Sequence, residues 1–198
     1  MLTQKQKEKV WNAASKCLIS IGYKKMSLSD VADTSGIALE KIKKDYKDKG
    51  ELIVDVLSEG IAHVTHTLEK SISARGKADI KLSRFVKNLL TDYETHSPML
   101  KLVSITFQTL NEEGLLIRKL VNQDQIDRYR RNTAIIARII AEGQSESIFR
   151  KSNPLESAYY LRGLINSAIL YWRATKYEGK LAAFADHLTR IFFTGIYK

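Results

Sequence analysis

The chain has 198 residues, enough to bury a substantial core as one domain or as a small domain joined to a larger one. A hydrophobic share of 44% and a charged share of 27% describe an ordinary globular composition, and no uninterrupted apolar run approaches the roughly 18 residues a membrane span needs. The formal net charge of +10 favours polyanionic partners, nucleic acid first and acidic membrane surfaces second.

One cysteine, Cys17, rules out an intramolecular disulfide framework and fits a reducing, cytoplasmic setting. The amino terminus is polar and charged before any apolar run, so no signal peptide is visible. Two prolines and ten glycines among long patterns of helical period predict an all-α fold of about nine helices.

The first predicted helix runs from about Thr3 to Ile21. Val10, Ala14, Cys17, Leu18 and Ile21 share one face with Trp11 beside it, while Lys5, Lys7, Lys9 and Lys16 lie largely on the other. Cys17 reads as a small core residue. Lys5 and Lys7 are either a solvated face or an arm that touches phosphate. Gly22-Tyr23 ends the helix, and Lys24-Lys25 occupy the connection.

From Ser27 to Leu52 the sequence reads SLSDVADTSGIALEKIKKDYKDKGEL. Ser27 is placed to cap a helix over Leu28 to Ser35, with Asp30 completing a capping box. Leu28, Val31 and the small Ala32 point inward. Gly36 supplies a turn residue free to take positive φ. The next helical pattern buries Ile37, Ile42 and Tyr46 and turns Leu39, Glu40, Lys43, Lys44 and Lys47 outward. Two short helices joined in this way form a helix-turn-helix whose second helix offers a mostly basic face to a major groove.

The pieces AASKCLISIGYKKMSLSDVADTSGI and KIKKDYKDKGEL resemble the DNA-binding domain of the TetR/AcrR family of bacterial transcriptional regulators. The matching pattern is a helix ending in Gly-Tyr, a Ser/Thr-capped second helix and a closing aromatic-x-x-Lys-x-x-Leu. Three positions depart from it. Ala38 stands where a Ser or Thr normally caps the recognition helix, Glu40 where glycine is common, and Lys43 where a phosphate-contacting tyrosine is common.

The resemblance implies a three-helix DNA-binding domain over 1–50 and a helical regulatory, ligand-binding and dimerisation domain over 51–198. It implies a homodimer, a palindromic double-stranded operator, repression as the usual outcome, and a hydrophobic or amphipathic small-molecule effector. Ser27 would cap its helix and touch phosphate, and Leu39, Glu40, Lys41, Lys43 and Lys44 would face the groove. There Leu39 can meet a thymine methyl, Glu40 a cytosine amino group, and Lys43 or Lys44 guanine or phosphate. Lys47 and Lys49 would add sequence-independent phosphate contacts.

A long fourth helix is expected from about Asp48 to Lys70, with Leu52, Val56, Leu57, Ile61 and Val64 inward, followed by a linker over Ser71 to Ala78. His63 and His66 are spaced to share a metal, but no third ligand is near in sequence, so no metal site is expected. Helices follow over Asp79 to Thr95, Met99 to Leu110, Leu115 to Val121 and onward to Gly143. Phe85, Tyr93, His96, Phe107, Tyr129, Tyr159, Arg162, Asn166 and Trp172 are the candidate ligand-pocket residues of these and the following helix.

Pro154, after Ser152-Asn153, starts a helix to Ala174 that is apolar on nearly every face. A last helix is expected from Leu181 to Tyr197. These two helices predict a four-helix interface between subunits, built from Leu161, Gly163, Leu164, Ser167, Ala168, Phe184, Leu188, Ile191 and Phe192. Arg162, Asn166 and Arg173 lie near one face of the first of them, and there they either hold an acidic ligand or pair across the dimer.

There is no P-loop, dinucleotide fingerprint, Gly-x-Ser-x-Gly or Cys-x-x-Cys, and no cofactor or catalytic group is expected. The competing reading is a helical ligand-binding or protein-interaction module without sequence-specific DNA binding, which Ala38 and Glu40 favour.

Overall fold

The computed structural model describes residues 1–73, 75–95, 97–108 and 112–196, with the side chains of 97, 98, 104, 105, 107, 108 and 113 excepted. Its helices are α1 (Gln4–Lys25), α2 (Leu28–Ser35), α3 (Leu39–Lys43), α4 (Lys49–Ser73), α5 (Ala78–Thr95), α6 (Ser97–Gln108), α7 (Glu112–Arg118), α8 (Gln123–Ser145), α9 (Pro154–Ala174) and α10 (Ala185–Ile196). A 3-10 turn over Leu181–Phe184 precedes α10, so the expected single terminal helix has two parts. The all-α expectation agrees. Ten α-helices replace about nine among the described residues, because Glu112–Arg118 forms a helix of its own.

Two further expectations are corrected. Ile21 is 43% exposed rather than inward. Gly22, at φ 79° and ψ 160°, breaks the helical path, leaving Ile21 at the end of the stripe that Val10, Ala14, Cys17 and Leu18 bury. The linker expected from Ser71 is shorter, since Ser71–Ser73 remain in α4. Ser71 is buried, donates to the Thr67 carbonyl at 2.7 Å, and accepts from Asn88 Nδ2 at 3.2 Å on α5. Arg84 Nη1 also donates to the Ser71 carbonyl at 2.9 Å, so the last turn of α4 has partners for its polar groups.

The chain divides into two compact units, one of residues 1–62 and 96–126, the other of 63–95 and 127–198. In the first, α1 packs on α2, α6 and α7, and α6 packs on α7. Its core holds Val10, Val31, Ile42, Leu52, Val56 and Leu57, all fully enclosed. Gly60 marks where α4 lies hard against α6: a Cβ there would meet Val103 Cγ2 at 2.7 Å and the Met99 carbonyl oxygen at 3.3 Å. In the second unit, α5 packs on α10 and the 3-10 turn, and α9 packs on α10. Leu82, Phe85 and Leu90 of α5, Ile136 and Ile140 of α8, Leu161 and Ile165 of α9, and Leu188 and Phe192 of α10 form its core.

Two polar clusters fix the first unit. Trp11 Nε1 of α1 donates to both Tyr46 Oη and Asp55 Oδ2 at 3.0 Å, and Tyr46 Oη donates to Asp55 Oδ2 at 2.6 Å. Two ring-bearing donors on one α4 carboxylate thus tie α1, the segment after α3 and α4 together. Burial, then the hydrogen bond to Asp55, pushes the Tyr46 phenol well above its ordinary pKa.

The second cluster is centred on Lys49. Its ammonium donates to the carbonyls of Tyr23 at 2.7 Å, Met26 at 2.9 Å and Lys24 at 3.2 Å, and lies 4.8 Å from the Tyr23 ring centre. A cation on the carbonyls that end a helix is favoured by the helix dipole and by charge-assisted hydrogen bonding. Next to it, Asp48 Oδ1 accepts from Glu51 N at 3.0 Å and Glu51 Oε2 accepts from Lys47 N at 2.7 Å, which caps the start of α4.

Replacing Tyr46 by Phe leaves the Asp55 carboxylate with one donor fewer and is expected to cost about 1–3 kcal/mol in urea unfolding at neutral pH. A phenol pKa raised on folding stabilises below the ordinary value near 10 and loses that contribution as pH rises towards the folded value. The wild type should therefore lose stability above about pH 10 more steeply than Tyr46→Phe. Lys49→Met should lower the unfolding free energy by a similar amount, about 1–3 kcal/mol, by leaving three carbonyls without their donor.

Candidate nucleic-acid interface

The candidate interface consists of the α2-turn-α3 segment. Ser27 Oγ donates to Asp30 Oδ2 at 2.7 Å, and the Ser27 and Asp30 amides complete the reciprocal box at 2.7 and 3.3 Å. The Ser27 hydroxyl and then its backbone amide hold the Asp30 carboxyl below the usual range. Gly36, at φ 66° and ψ 23°, closes α2 in the left-handed conformation, and its amide donates to the Ala32 carbonyl. Ile42 and Tyr46 then anchor α3 and the residues after it in the core. At Ala38 no side chain caps α3.

This anchoring determines which candidate residues reach solvent. Glu40, Lys43, Lys44 and Lys47 are exposed, whereas Leu39 and Lys41 are partly buried. Lys43, Lys44 and Lys47 make no ion pair with any described residue, so their charge is available. Lys24, by contrast, is paired with Glu112 at the start of α7, which lowers the Glu112 carboxyl pKa through that hydrogen bond and its charge. Ser27 is exposed but already engaged in its cap. Lys49 is partly buried with its donors on the three carbonyls named above. Sequence reasoning missed this clip, whose only local trace is the lysine opening α4.

The candidate pocket residues do not form one group. Phe85 and Tyr93 are 2% exposed and belong to the interior of the second unit. Tyr159 is 52% exposed, and Trp172 Nε1 donates to the Gly179 carbonyl at 2.8 Å. His96 and the side chain of Phe107 lie outside the described residues. Tyr129 and Arg162 do meet: the guanidinium carbon sits 3.9 Å from the ring centre, and Arg162 Nη1 donates to Thr133 Oγ1. Asn166, one turn further along α9, is partly buried. No group of three or more metal-binding side chains occurs among the described residues; His63 Nε2 lies 3.2 Å from Asp92 Oδ2.

The candidate interface residues of α9 and α10 also separate. Leu161, Leu188 and Phe192 are buried in their own chain. Leu164, Ala168 and Phe184 are partly buried, with the Phe184 ring 5.2 Å from Tyr177 and 5.8 Å from Tyr171. Gly163, Ser167 and Ile191 are exposed. They share the outside of this unit with Leu155, Tyr159, Tyr160, Leu170 and Tyr171, each at least 48% exposed and none of them among the residues expected at the interface.

No protein-family model matches the chain, and no curated protein matches it. Solved structures do. The transcriptional regulator FadR from Bacillus subtilis, in complex with stearoyl-CoA, superposes with a TM-score of 0.77 at 19% identity, covering 96% of this chain and 98% of that one. The TetR family transcriptional regulator PfmR from Thermus thermophilus gives 0.73 at 17% identity, covering 96% and 99%. A structure from Saccharomonospora viridis in complex with choline, described as a transcriptional regulator, gives 0.75 at 21% identity, covering 99% and 100%. With its all-α topology and its capped helix-turn-helix, the chain has the fold of the TetR-family transcriptional regulators.

Proposed function

We propose that this protein is a dimeric, DNA-binding transcriptional regulator, a repressor in the usual mode of its fold, whose operator affinity is set by a small molecule held in the second helical unit. The observation that carries the reading is the display of Lys43, Lys44 and Lys47 without counter-ions on and after a helix that Ile42 and Tyr46 fix in the core. Lysines in that position neutralise phosphates and release counter-ions, which gives salt-dependent affinity. Neighbouring base edges then decide specificity, met by the exposed Glu40 and the partly buried Leu39 of the same short helix.

In this reading residues 1–50 read DNA, and 51–198 carry dimerisation and effector binding. The exposed apolar face of α9, with Ile191 on α10, supports a two-fold dimer. A Cβ at Gly163 would meet nothing within 4 Å in its own chain, so the space beside it is available to a second subunit. A two-fold dimer reads a palindromic operator with half-sites in successive or nearby major grooves. Stearoyl-CoA and choline in two proteins of the same fold support an effector in the helical body.

The reading is tested by titrating the purified protein with the intergenic DNA upstream of its own gene and with an unrelated duplex, each at two salt concentrations. Saturable binding to the first that survives moderate salt is expected; equal, weak and steeply salt-sensitive binding to both would favour a helical module without sequence-specific recognition. Lys43→Ala and Lys44→Ala should each reduce the salt slope by about 0.9 wherever the lysine meets phosphate. Lys49→Met is expected to weaken binding while leaving the slope unchanged, since its charge is spent inside the fold; a reduced slope would make it a phosphate contact.

A further inference from the structure

Within the second unit, α8 and α9 enclose a cation that no carboxylate of a described residue neutralises. Arg162 of α9 lies flat against the Tyr129 ring and donates to Thr133, one turn along the same face of α8. Thr133 is 1% exposed and the guanidinium is partly buried. No carboxylate of a described residue pairs with it. By contrast, Lys81 of the same unit has Glu142 at 2.5 Å.

An aromatic face and one hydroxyl are neutral partners. They hold the guanidinium in place but leave most of its five N–H donors, and all of its charge, uncompensated. Burial accordingly pushes the Arg162 pKa down, while Tyr129 and Tyr159 push it up. A planar guanidinium stacked on a ring presents its edge as a fork that fits two oxygens of one acid group. Asn166 stands one turn away on α9 as a further polar group. Tyr159, one turn back on α9, lies near enough to act on Arg162 and is 52% exposed, so apolar ring surface stands open beside the cation. A cationic ligand would be repelled here, and a small inorganic anion would leave the Tyr129 and Tyr159 rings unused.

We infer that Arg162, set on Tyr129 and Thr133, binds the acid group of an amphipathic organic anion, which is the effector of the regulator proposed above. The assignment rests on that reading for its regulatory meaning, and on the Arg162 geometry for its chemistry.

The test uses full-length protein and three probes of equal chain length, below their aggregation concentrations: dodecanoate, dodecyl phosphate and dodecanol. Binding is followed by tryptophan fluorescence and calorimetry for the wild type, Arg162→Met and Arg162→Lys. At least one of the two acids should bind the wild type more tightly than the alcohol, and which one does so separates a carboxylate from a phosphate ligand. Arg162→Met should lose about 10- to 100-fold for that acid with dodecanol unchanged, and Arg162→Lys should recover part of the loss. A merely structural arginine would instead lower the melting temperature of Arg162→Met without altering the preference for acids. Equal acid binding by wild type and Arg162→Met, or no acid binding by the wild type, overturns the assignment. Operator titration of the same samples keeps the two readings apart. Operator binding without acid binding removes only the Arg162 site; acid binding without operator binding removes only the regulator.

Discussion

A carboxylate on the inner side of a helix is costly to enclose unless donors reach it, and in this protein that requirement brings three distant segments together. Asp55 on α4 receives the indole of Trp11 and the phenol of Tyr46, and Trp11 also bonds the phenol. Because Tyr46 follows α3 directly, the same bonds that satisfy Asp55 set the distance of α3 from α1 and α4. Ile42 adds apolar burial to this anchor. A helix of five residues has too few internal hydrogen bonds to hold itself, so α3 takes its position from these tertiary contacts.

The arrangement of charge follows from that placement. Lys49 is drawn inward to the carbonyls at the end of α1, and Lys24 is paired with Glu112. Lys43, Lys44 and Lys47 are left facing solvent. A net charge of +10 says only that the chain as a whole is basic. The fold sorts its lysines into some that hold the first unit together and others that remain free of an acidic partner among the described residues.

The second unit shows a comparable sorting of apolar groups. On α9, Leu161, Ile165 and Ile169 face the core, whereas Tyr159, Tyr160, Leu170 and Tyr171 face outward. The sequence makes the helix apolar nearly all round, but it does not tell which side the chain itself covers. Leu161, Leu188 and Phe192 are spent on the chain's own core, and the outward tyrosines are left exposed. Arg162 lies between these faces, held by Tyr129 and Thr133 and by no acid among the described residues.

By itself the sequence determined the local features: the Ser27–Asp30 capping box, the left-handed Gly36, the start of α9 after Asn153, and the all-α class. Each depends on residues within about one helical turn, where backbone geometry and hydrogen-bonding capacity are set by residue type. The tertiary structure alone decided the Trp11–Tyr46–Asp55 trio, the Lys49 clip, the close approach at Gly60 and the pairing of Arg162 with Tyr129. Their partners stand 35 and 44 positions apart in the trio and up to 26 apart at Lys49. A lysine that binds a carbonyl and one that stays in solvent have the same local sequence signature; only the packed chain, by bringing distant acceptors within reach of one and not the other, distinguishes them.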